Sequence, residues 1–505
     1  MSHHRASKVS KSIIVIGSGM GGMAAAARLA KRGHKVKVFE AASFAGGKCR
    51  TEVISGFSFD TGPSLLTLPA VYRDLFVKTG KRLENLVQLS TVDPSFTYIF
   101  DDGKRVTFPN LSHSGTVLAI TESFGAQAGD AWHQLLTRAE RMWGASRQAF
   151  VESELRSPFA MLKSPSLLRD LKTIAPFTSL RDVVRSYTDN VYIGKIIDRY
   201  ATYTGSDPRK VPAVLLTIAF VEEAFGAWHV SGGVGTLAKS LESRLSDLGV
   251  ELHLNTRVDQ IITKSGVAIG VKLANGQIHN SDVVIANADA ELVYNQLLEK
   301  SSKTRSARKS LNKATASLSG FSLLLGLRGS SELDHHTVFF PKDYDAEFDS
   351  IFDKKMPVED PAIYICNPND SKMKRAEVDE SWSVLINAPR HQPKDGFNWD
   401  EKSSKEYSEH IIDLMEAKGL DIRSRLEVLE YRSPADLERN VNAPGGSIYG
   451  TSSNGARSAF WRARNRSKIK NLFLVGGSTH PGGGLPLVGI SAEIVAEAVE
   501  ENSEQ

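Results

Sequence analysis

The first forty residues follow an apolar, then a helical, then an alternating pattern. Residues 12–17 are a nearly unbroken apolar run of the kind buried in parallel sheets, and residues 20–32 are rich in alanine and leucine. Residues 35–38 alternate lysine with valine, Phe39 follows, and the pattern ends at the charged Glu40. This pattern predicts a strand, a glycine-rich turn, a helix and a second strand, which together form a βαβ unit.

Two further α/β patterns follow later in the chain. After Gly232-Gly233, leucines recur at helical spacing at 237, 241, 245 and 248, and strands are predicted at 251–254 and 282–286 with a hairpin turning at Asn275-Gly276. Near the end, a strand at 472–475 is followed by a glycine-rich turn and a helix predicted at 491–499. The predicted nucleotide-binding domain therefore combines three segments: 11–106, 231–300 and 442–500.

Two insertions separate these segments. Residues 107–230 have mostly helical periodicity, whereas residues 301–441 contain strand-like runs at 321–327 and 382–388. We expect the two insertions to form an α+β substrate-binding domain with a helical part. The predicted fold class is α/β, with a Rossmann-type domain that carries this inserted domain.

A glycine motif and a carboxylate occupy the positions of a dinucleotide site. Gly17 permits a tight turn, Gly19 allows a phosphate to approach the backbone, and Gly22 allows the helix to pack against the sheet. The helix N-terminus then faces the phosphates. Glu40 ends the second strand, where a carboxylate accepts hydrogen bonds from ribose hydroxyls.

Glu40 also indicates which dinucleotide binds. Its carboxylate would repel a 2′-phosphate, so the adenosine half of FAD or NAD is favoured over NADP. The sequence has no second GxGxxG motif for a separate nicotinamide, and a glycine-rich C-terminal segment is available to cover a second half of the cofactor. We therefore expect FAD.

Composition excludes several classes of protein. The 505 residues carry a net charge of +4, too small a surplus to indicate a nucleic-acid partner. The two cysteines, Cys49 and Cys366, are far apart, which argues against a disulfide framework and a zinc site, so no metal is expected. The N-terminus lacks a secretory apolar run, and the longest apolar run, 211–221, is too short to span a bilayer. We expect a cytoplasmic protein.

Three motifs carry a family resemblance. Gly-Gly-Lys-Cys-Arg stands at 46–50, Phe-Asp-Thr-Gly-Pro-Ser at 59–64, and Gly-Gly-Ser-Thr-His-Pro-Gly-Gly-Gly at 476–484. With them the chain resembles, over essentially its full length, the bacterial-type phytoene desaturases, a carotenoid desaturase family of FAD-dependent oxidoreductases in the amine oxidase superfamily. The resemblance implies a glutathione-reductase-like FAD domain. The last motif is closer to the branch that acts on already desaturated or hydroxylated carotenoids, so the reaction class is better defined than the substrate.

The resemblance also implies a function and a set of cofactor residues. The function is desaturation of a long isoprenoid hydrocarbon, such as phytoene or a partly desaturated carotenoid, by hydride transfer to the flavin, with quinone or oxygen as final acceptor. A carotenoid ketolase or isomerase, an amine-oxidase-type flavoenzyme and a prenyl-lipid carrier remain alternatives. Beyond Gly17, Gly19, Gly22 and Glu40, the implied cofactor residues are Gly46, Gly47, Lys48, Arg50, Gly62, Pro63, Ser64, Val258, Gly476, Gly477, Pro486 and Val488.

Catalytic and substrate residues are less clearly indicated. His480 and His229 are candidates for acid–base catalysis, although a structural role in the glycine-rich turn is favoured for His480. Trp228 and Phe225 are candidates for the substrate tunnel, with core packing an equal alternative for Trp228. The adjacent His335 and His336 lack a third ligand in register, so we interpret them as surface residues and not as a metal site.

One stretch predicts a membrane contact. Between residues 156 and 181, basic side chains that include Lys163, Arg169 and Lys172 are interleaved with leucine, isoleucine and phenylalanine. Such a segment can lie in the interfacial region of a bilayer, or it can simply pack as an amphipathic helix. Because the implied substrate dissolves in membranes, we expect peripheral association with the cytoplasmic membrane through this stretch.

Overall fold

A five-stranded parallel sheet forms the centre of the first part of the protein. The computed structural model describes residues 10–155, 167–455 and 458–501. The order of the strands is β19-β13-β1-β2-β9. Their bounds are Ser12–Ile16 (β1), Lys35–Phe39 (β2), Glu251–His253 (β9), Val283–Ala286 (β13) and Leu472–Leu474 (β19). The sheet thus takes strands from three separated parts of the chain.

Both faces of this sheet are covered, which explains the continuous apolar sequence of β1. Ile13 and Val15 pack in one cluster with the helices Met20–Lys31, Gly235–Asp247 and Leu485–Glu501. The alternate residues of β1 face a second cluster on the opposite side, which includes a small antiparallel sheet. Strand side chains alternate between the two faces, so both sets must be apolar.

The remaining strands form one large sheet and three small ones. The large sheet has seven strands in the order β18-β14-β17-β16-β15-β6-β7, and only β15 and β6 pair in parallel. Its strands are Phe96–Ile99 (β6), Arg105–Phe108 (β7), Ser319–Leu327 (β14), His336–Phe339 (β15), Ile363–Cys366 (β16), Glu380–Ala388 (β17) and Leu426–Arg432 (β18). The small sheets contain Thr51–Ile54 (β3), Phe57–Asp60 (β4), Leu89–Thr91 (β5), Trp228–Val230 (β8), Val258–Lys264 (β10), Val267–Leu273 (β11) and Ile278–Asn280 (β12).

Helices surround these sheets. Within the described residues, the α-helices longer than three residues are Met20–Lys31, Ala70–Thr79, His113–Phe124, Ala126–Ser146, Leu167–Ile174, Leu180–Arg185, Val191–Thr202, Thr217–Phe225, Gly235–Asp247, Ser302–Lys313, Asp345–Phe348, Glu401–Ala417, Pro434–Val441, Ser458–Trp461 and Leu485–Glu501. None of the described helices has the length and the apolar character that a membrane span requires.

A buried ion pair lies in the helical part. Arg199 donates to the Tyr98 hydroxyl (3.0 Å) and lies 3.6 Å from the Glu222 carboxylate, which also accepts hydrogen bonds from the hydroxyls of Tyr200 and Tyr203. Aromatic rings, among them Phe96 and Tyr98, surround the guanidinium. Pairing with a carboxylate and hydroxyl groups reduces the cost of burying these two charges.

The predicted fold class is confirmed. The βαβ unit, the hairpin at Asn275-Gly276 and the strands predicted at 321–327 and 382–388 are all present. The structure also assigns β6, which precedes the expected boundary at residue 106, to the seven-stranded sheet of the second part. That pairing joins residues more than two hundred positions apart, which a local pattern does not reveal.

Candidate functional site

The three segments of the first part meet around one large cavity. Its volume is about 430 Å³, and it opens at the carboxyl ends of β1 and β13. Most of the predicted cofactor residues line it: Gly17, Gly19, Glu40, Gly46, Gly47, Lys48, Arg50, Gly62, Pro63, Val258, Gly476, Gly477 and Val488. Gly22, Ser64 and Pro486 are not part of the lining. Ligands of open α/β sheets bind at this edge.

Close backbone contacts shape the glycine turn. Gly17 has a φ of +92°, and a Cβ at this position would lie 2.5 Å from the carbonyl oxygen of Asn287. A Cβ on Gly22 would lie 2.3 Å from the carbonyl oxygen of Gly17. The helix Met20–Lys31 begins directly after the turn, so its free N–H groups face the cavity. The arrangement can receive a pyrophosphate.

Glu40 is held in a fixed position beside this turn. Its carboxylate accepts hydrogen bonds from the backbone N–H of Ser18 (2.6 Å), from the Ser18 hydroxyl (2.9 Å) and from the N–H of Ala42 (2.9 Å). A carboxylate has about four lone-pair positions, so acceptor capacity remains for a ligand hydroxyl. The backbone of Glu40 is itself bonded to His253 of β9, which places the side chain at the edge of the sheet.

Lys48 crosses from the first segment to the last. Its ammonium donates to the carbonyl oxygens of Ile448 (2.6 Å) and Ser447 (3.2 Å). Burial lowers the pKa of Lys48 to about 8, although the nearby Asp289 carboxylate opposes this shift. Arg50, also in the cavity wall, stacks on the ring of Phe44 at 3.9 Å. These two cations are the positive groups of the wall that the sequence predicted.

Sequence reasoning missed two residues that shape the cavity, Asn287 and Asp289. The Asn287 amide donates to the Val475 carbonyl (2.9 Å), and its oxygen would lie 2.7 Å from a Cβ on Gly19. Asp289 is the carboxylate next to Lys48. Both directly follow β13, and polar residues at the carboxyl end of a parallel strand are a signal that could have identified them.

The C-terminal helix begins earlier than predicted. The helix is Leu485–Glu501, so the predicted start at Ser491 is wrong. Pro486 lies in its first turn, where proline is well tolerated because that backbone N–H is unpaired anyway. The helix therefore begins at the cavity wall, which Gly484, Leu485 and Val488 help to form. The Ser491 hydroxyl instead donates to the His480 carbonyl (2.9 Å) inside the protein.

The proposed catalytic and tunnel residues lie away from this cavity. His480 is buried, its Nε2 lies 2.9 Å from the Ser153 carbonyl oxygen, and burial lowers its pKa. His229 Nε2 pairs with Asp370 at 2.9 Å. The Trp228 indole donates to the carbonyl of Phe225 (2.8 Å). The described lining includes none of these four candidates, and their catalytic or tunnel roles stay predictions.

The interpretation of His335 and His336 as surface residues is wrong. His336 is completely buried because β15 runs between β16 and β6 inside the large sheet, and the ring of His335 is largely enclosed beside it. Cys366, which is paired with His336 across β15 and β16, brings a thiol to the two imidazoles. No periodicity in the sequence predicts this encounter, because it depends on the register of two strands.

Asp60 connects the second motif to the glycine pair at 232–233. Its carboxylate accepts hydrogen bonds from the Thr51 hydroxyl (2.5 Å) and from the N–H of Val234 (2.9 Å), just behind the cavity wall that Thr61 and Gly62 form. Burial raises the pKa of Asp60 to about 7, although the two hydrogen bonds oppose the shift. Asp60 thus holds two segments of the wall together.

The donors, acceptors and shape of the cavity fit a dinucleotide cofactor. A side chain at Gly17 or Gly19 would collide with Asn287, so this part of the wall is bare backbone. The Glu40 carboxylate provides the acceptor, and the N-termini of two helices meet the cavity. The arrangement can bind an adenosine diphosphate group at one end and enclose a second group against residues 476–488 at the other.

Comparisons with known proteins agree with this site. Residues 20–321 match the family described as flavin containing amine oxidoreductase. The chain is 32% identical to a zeta-carotene-forming phytoene desaturase of Myxococcus xanthus, with 97% of this chain and 94% of the relative covered. It is 31% identical to a 1-hydroxycarotenoid 3,4-desaturase of Flavobacterium sp. (97% and 99% covered), and 29% identical to a 4,4′-diapolycopene oxygenase of Methylomonas sp. (96% and 97%).

Solved structures support the fold. A putrescine oxidase variant superposes with a TM-score of 0.66 at 12% identity, with 98% of this chain and 99% of that chain covered. An oxidoreductase from Methanosarcina mazei superposes with a TM-score of 0.62 at 16% identity, with 96% and 100% covered. The family match supports a flavin cofactor for this chain, and the solved structures show that the chain has the fold of these oxidoreductases.

Asp60 leads to a testable pH dependence. The folded carboxyl retains its proton up to about pH 7, whereas the unfolded one releases it near its ordinary pKa of 3.8. The folded state therefore binds more protons between these values, and the free energy of unfolding falls as pH rises through this window. We expect Asp60→Asn, which keeps an acceptor oxygen, to make this fall smaller in urea unfolding measured from pH 4 to pH 8.

The control for this experiment is Asp259→Asn, which changes an exposed carboxylate on β10. Its pH profile should follow that of the wild type. A profile of Asp60→Asn parallel to the wild type over the whole range would contradict the buried, protonated state of Asp60.

Proposed function

The chain belongs to the flavin-containing amine oxidoreductase family, and we propose that it is an FAD-dependent desaturase of a long carotenoid hydrocarbon that acts in carotenoid biosynthesis. The substrate is phytoene or a partly desaturated carotenoid. The observation that carries the proposal is the single cavity in which Glu40, the glycine turn and the 476–488 segment share one wall.

FAD is favoured over other flavins because the cavity has a site for adenosine. Glu40 is positioned to accept hydrogen bonds from ribose hydroxyls, and the turn at Gly17–Gly22 to receive the pyrophosphate. FMN has no adenosine and only one phosphate, so it would leave Glu40 without a ribose ligand and would supply only half of the pyrophosphate. The N-terminus of the helix Leu485–Glu501, at the other end of the cavity, would stabilise negative charge on a bound ring.

FAD supplies a hydride acceptor, which the desaturation of a saturated carbon–carbon bond requires. The protein provides orientation and exclusion of water. Leu385 of β17 and Ile448 lie in the wall and are apolar, as a hydrocarbon substrate requires. Each double bond formed removes a hydride and a proton from the substrate, and the electrons then pass to quinone or oxygen.

The names of the relatives support a carotenoid substrate and leave a second candidate. Desaturases and oxygenases of carotenoids occur among relatives of similar identity. Oxygenation is therefore the alternative reaction for this chain. An amine substrate has weaker support, because the solved amine oxidases share only 12–14% of the sequence.

The function is tested by conversion of carotenoids in liposomes. Purified protein reconstituted with FAD should convert phytoene or neurosporene to products with longer conjugation. Mass spectrometry should show that each step removes two hydrogen atoms. The Glu40→Arg variant removes an acceptor and places a cation beside the N–H of Ser18, so we expect at least about tenfold lower FAD occupancy and a matching loss of conversion.

Glu122→Arg is the matched control, since it makes the same charge change on an exposed face of the helix His113–Phe124. It should retain FAD and conversion. A product that gains oxygen would favour the oxygenase, and turnover of an amine alone would favour an amine oxidase. Full FAD occupancy in Glu40→Arg would contradict the assignment of the ribose site.

We further propose that the protein associates peripherally with a membrane through the stretch 156–181. Residues 156–166 lie outside the described residues. Beyond them, the helix Leu167–Ile174 packs Ile174 into the protein, whereas the side chain of Phe177 is 89% exposed. An exposed aromatic ring in the same stretch as the exposed Lys172 favours the interface of an anionic bilayer.

The membrane proposal is tested by co-sedimentation with anionic liposomes. Each basic residue near such a surface contributes about 1 kcal/mol, so replacing Lys163, Arg169 and Lys172 by glutamate should weaken binding at least about 100-fold. The control carries the same change at exposed lysines elsewhere: Lys394, Lys402 and Lys405. Equal binding by both variants and the wild type would show that this stretch is not the membrane contact.

A further inference from the structure

Two imidazoles and a thiol converge inside the seven-stranded sheet, outside the wall of the flavin cavity. His336 opens β15 and pairs directly with Cys366, the last residue of β16, while His335 immediately precedes β15. One ligand atom from each of these residues lies within 4.8 Å of the other two. The rings of His335 and His336 have their centroids 4.5 Å apart.

The imidazole nitrogens in this cluster are not satisfied by the protein. The Nε2 atoms of both His335 and His336 are buried and have no hydrogen-bond partner in the described part of the chain. Buried polar atoms are nearly always paired, because an unmade hydrogen bond in a core is costly. Two such nitrogens beside a thiol therefore indicate a ligand that accepts their lone pairs.

The second nitrogen of His336 has the environment of a metal ligand. Its Nδ1 lies 2.8 Å from the Tyr364 hydroxyl, which in turn lies 2.9 Å from the hydroxyl of Ser64. When Nδ1–H donates to the Tyr364 oxygen, the lone pair is on Nε2, which is how histidine ligands of metals are usually oriented. The Tyr364 contact thus prepares Nε2 to coordinate.

The charge state of the two histidines also suits coordination. Burial lowers the pKa of His335 to about 3 and that of His336 well below its usual value, so both rings are neutral at neutral pH. Burial raises the pKa of the Cys366 thiol, and the neighbouring Asp60 carboxylate adds to this. A bound cation would displace the thiol proton. The buried guanidinium of Arg199 also lowers the pKa of His336, and its positive charge opposes a cation at this place.

We propose that His335, His336 and Cys366 bind a thiophilic divalent metal ion of the Zn²⁺ class. Two imidazole nitrogens and one thiolate match the preferences of zinc, and they leave the fourth position of a tetrahedron to an exchangeable ligand. Zinc–ligand bonds of about 2.0–2.3 Å require ligand atoms roughly 3.5 Å apart, so the cluster closes by small side-chain rotations. The ion would join β15 to β16 and, through Tyr364 and Ser64, support the segment behind Pro63 of the cavity wall.

The metal content of the FAD-loaded protein tests the proposal. Protein equilibrated with Zn²⁺ and then passed through a desalting column should retain one Zn²⁺ per chain by elemental analysis. Replacement by Co²⁺ should give a thiolate-to-cobalt charge-transfer band. Cys366→Ser should abolish that band and weaken Zn²⁺ binding at least about tenfold, while Tyr364→Phe, which removes only the support of His336, should weaken it about 10–100-fold.

Two further variants keep the test decisive. His335→Gln changes the least enclosed ligand, so it provides a second loss of metal if Cys366→Ser does not fold. His253→Gln, which changes an exposed histidine of β9, should bind Zn²⁺ like the wild type. Zinc in the wild type no higher than in the buffer blank would overturn the proposal, as would equal affinity in Cys366→Ser, His335→Gln and the wild type. Metal content is measured independently of carotenoid conversion, so a negative result for the metal site would not count against the proposed desaturase function, and the reverse also holds.

Discussion

The close approach of two backbone segments at the carboxyl ends of β1 and β13 is the constraint on which the site depends. Gly17 and Gly22 touch each other and Asn287 so closely that a single Cβ would force them apart. This contact determines where the helix Met20–Lys31 begins, and the start of the helix determines where a pyrophosphate can lie. Glu40 and the C-terminal helix are then arranged around the same point.

Interactions between distant segments hold the rest of the cavity in place. Lys48 reaches the carbonyls at 447 and 448, and Asp60 accepts the N–H of Val234, so that the wall is assembled by hydrogen bonds between segments as much as by apolar packing. Because these contacts are buried, their loss leaves unpaired polar groups. In the helical part, the buried Glu222 carboxylate is likewise paired with Arg199 and accepts hydrogen bonds from Tyr200 and Tyr203.

Much of the fold and of the cavity wall could be predicted from the sequence, because their signals are local. The apolar run of β1, the glycine spacing and Glu40 lie within thirty residues, so a short piece of sequence is enough to predict their structure. The buried position of His336 could not be predicted, since it depends on β15 pairing with β6 and β16. The early start of the last helix was missed because Pro486 and the glycines before it are typical of a turn, although proline is equally suited to a first helical turn.

Hydride transfer from a carotenoid to the bound flavin can be followed in the absorption spectrum of the flavin under anaerobic conditions. Protein reconstituted with FAD is mixed with liposomes that contain the carotenoid, without any other electron acceptor. We expect the absorption of the oxidised flavin to disappear as product forms, with one flavin reduced for each double bond introduced. Product formation with an unchanged flavin spectrum, or reduction of the flavin by an amine but not by any carotenoid, would contradict it.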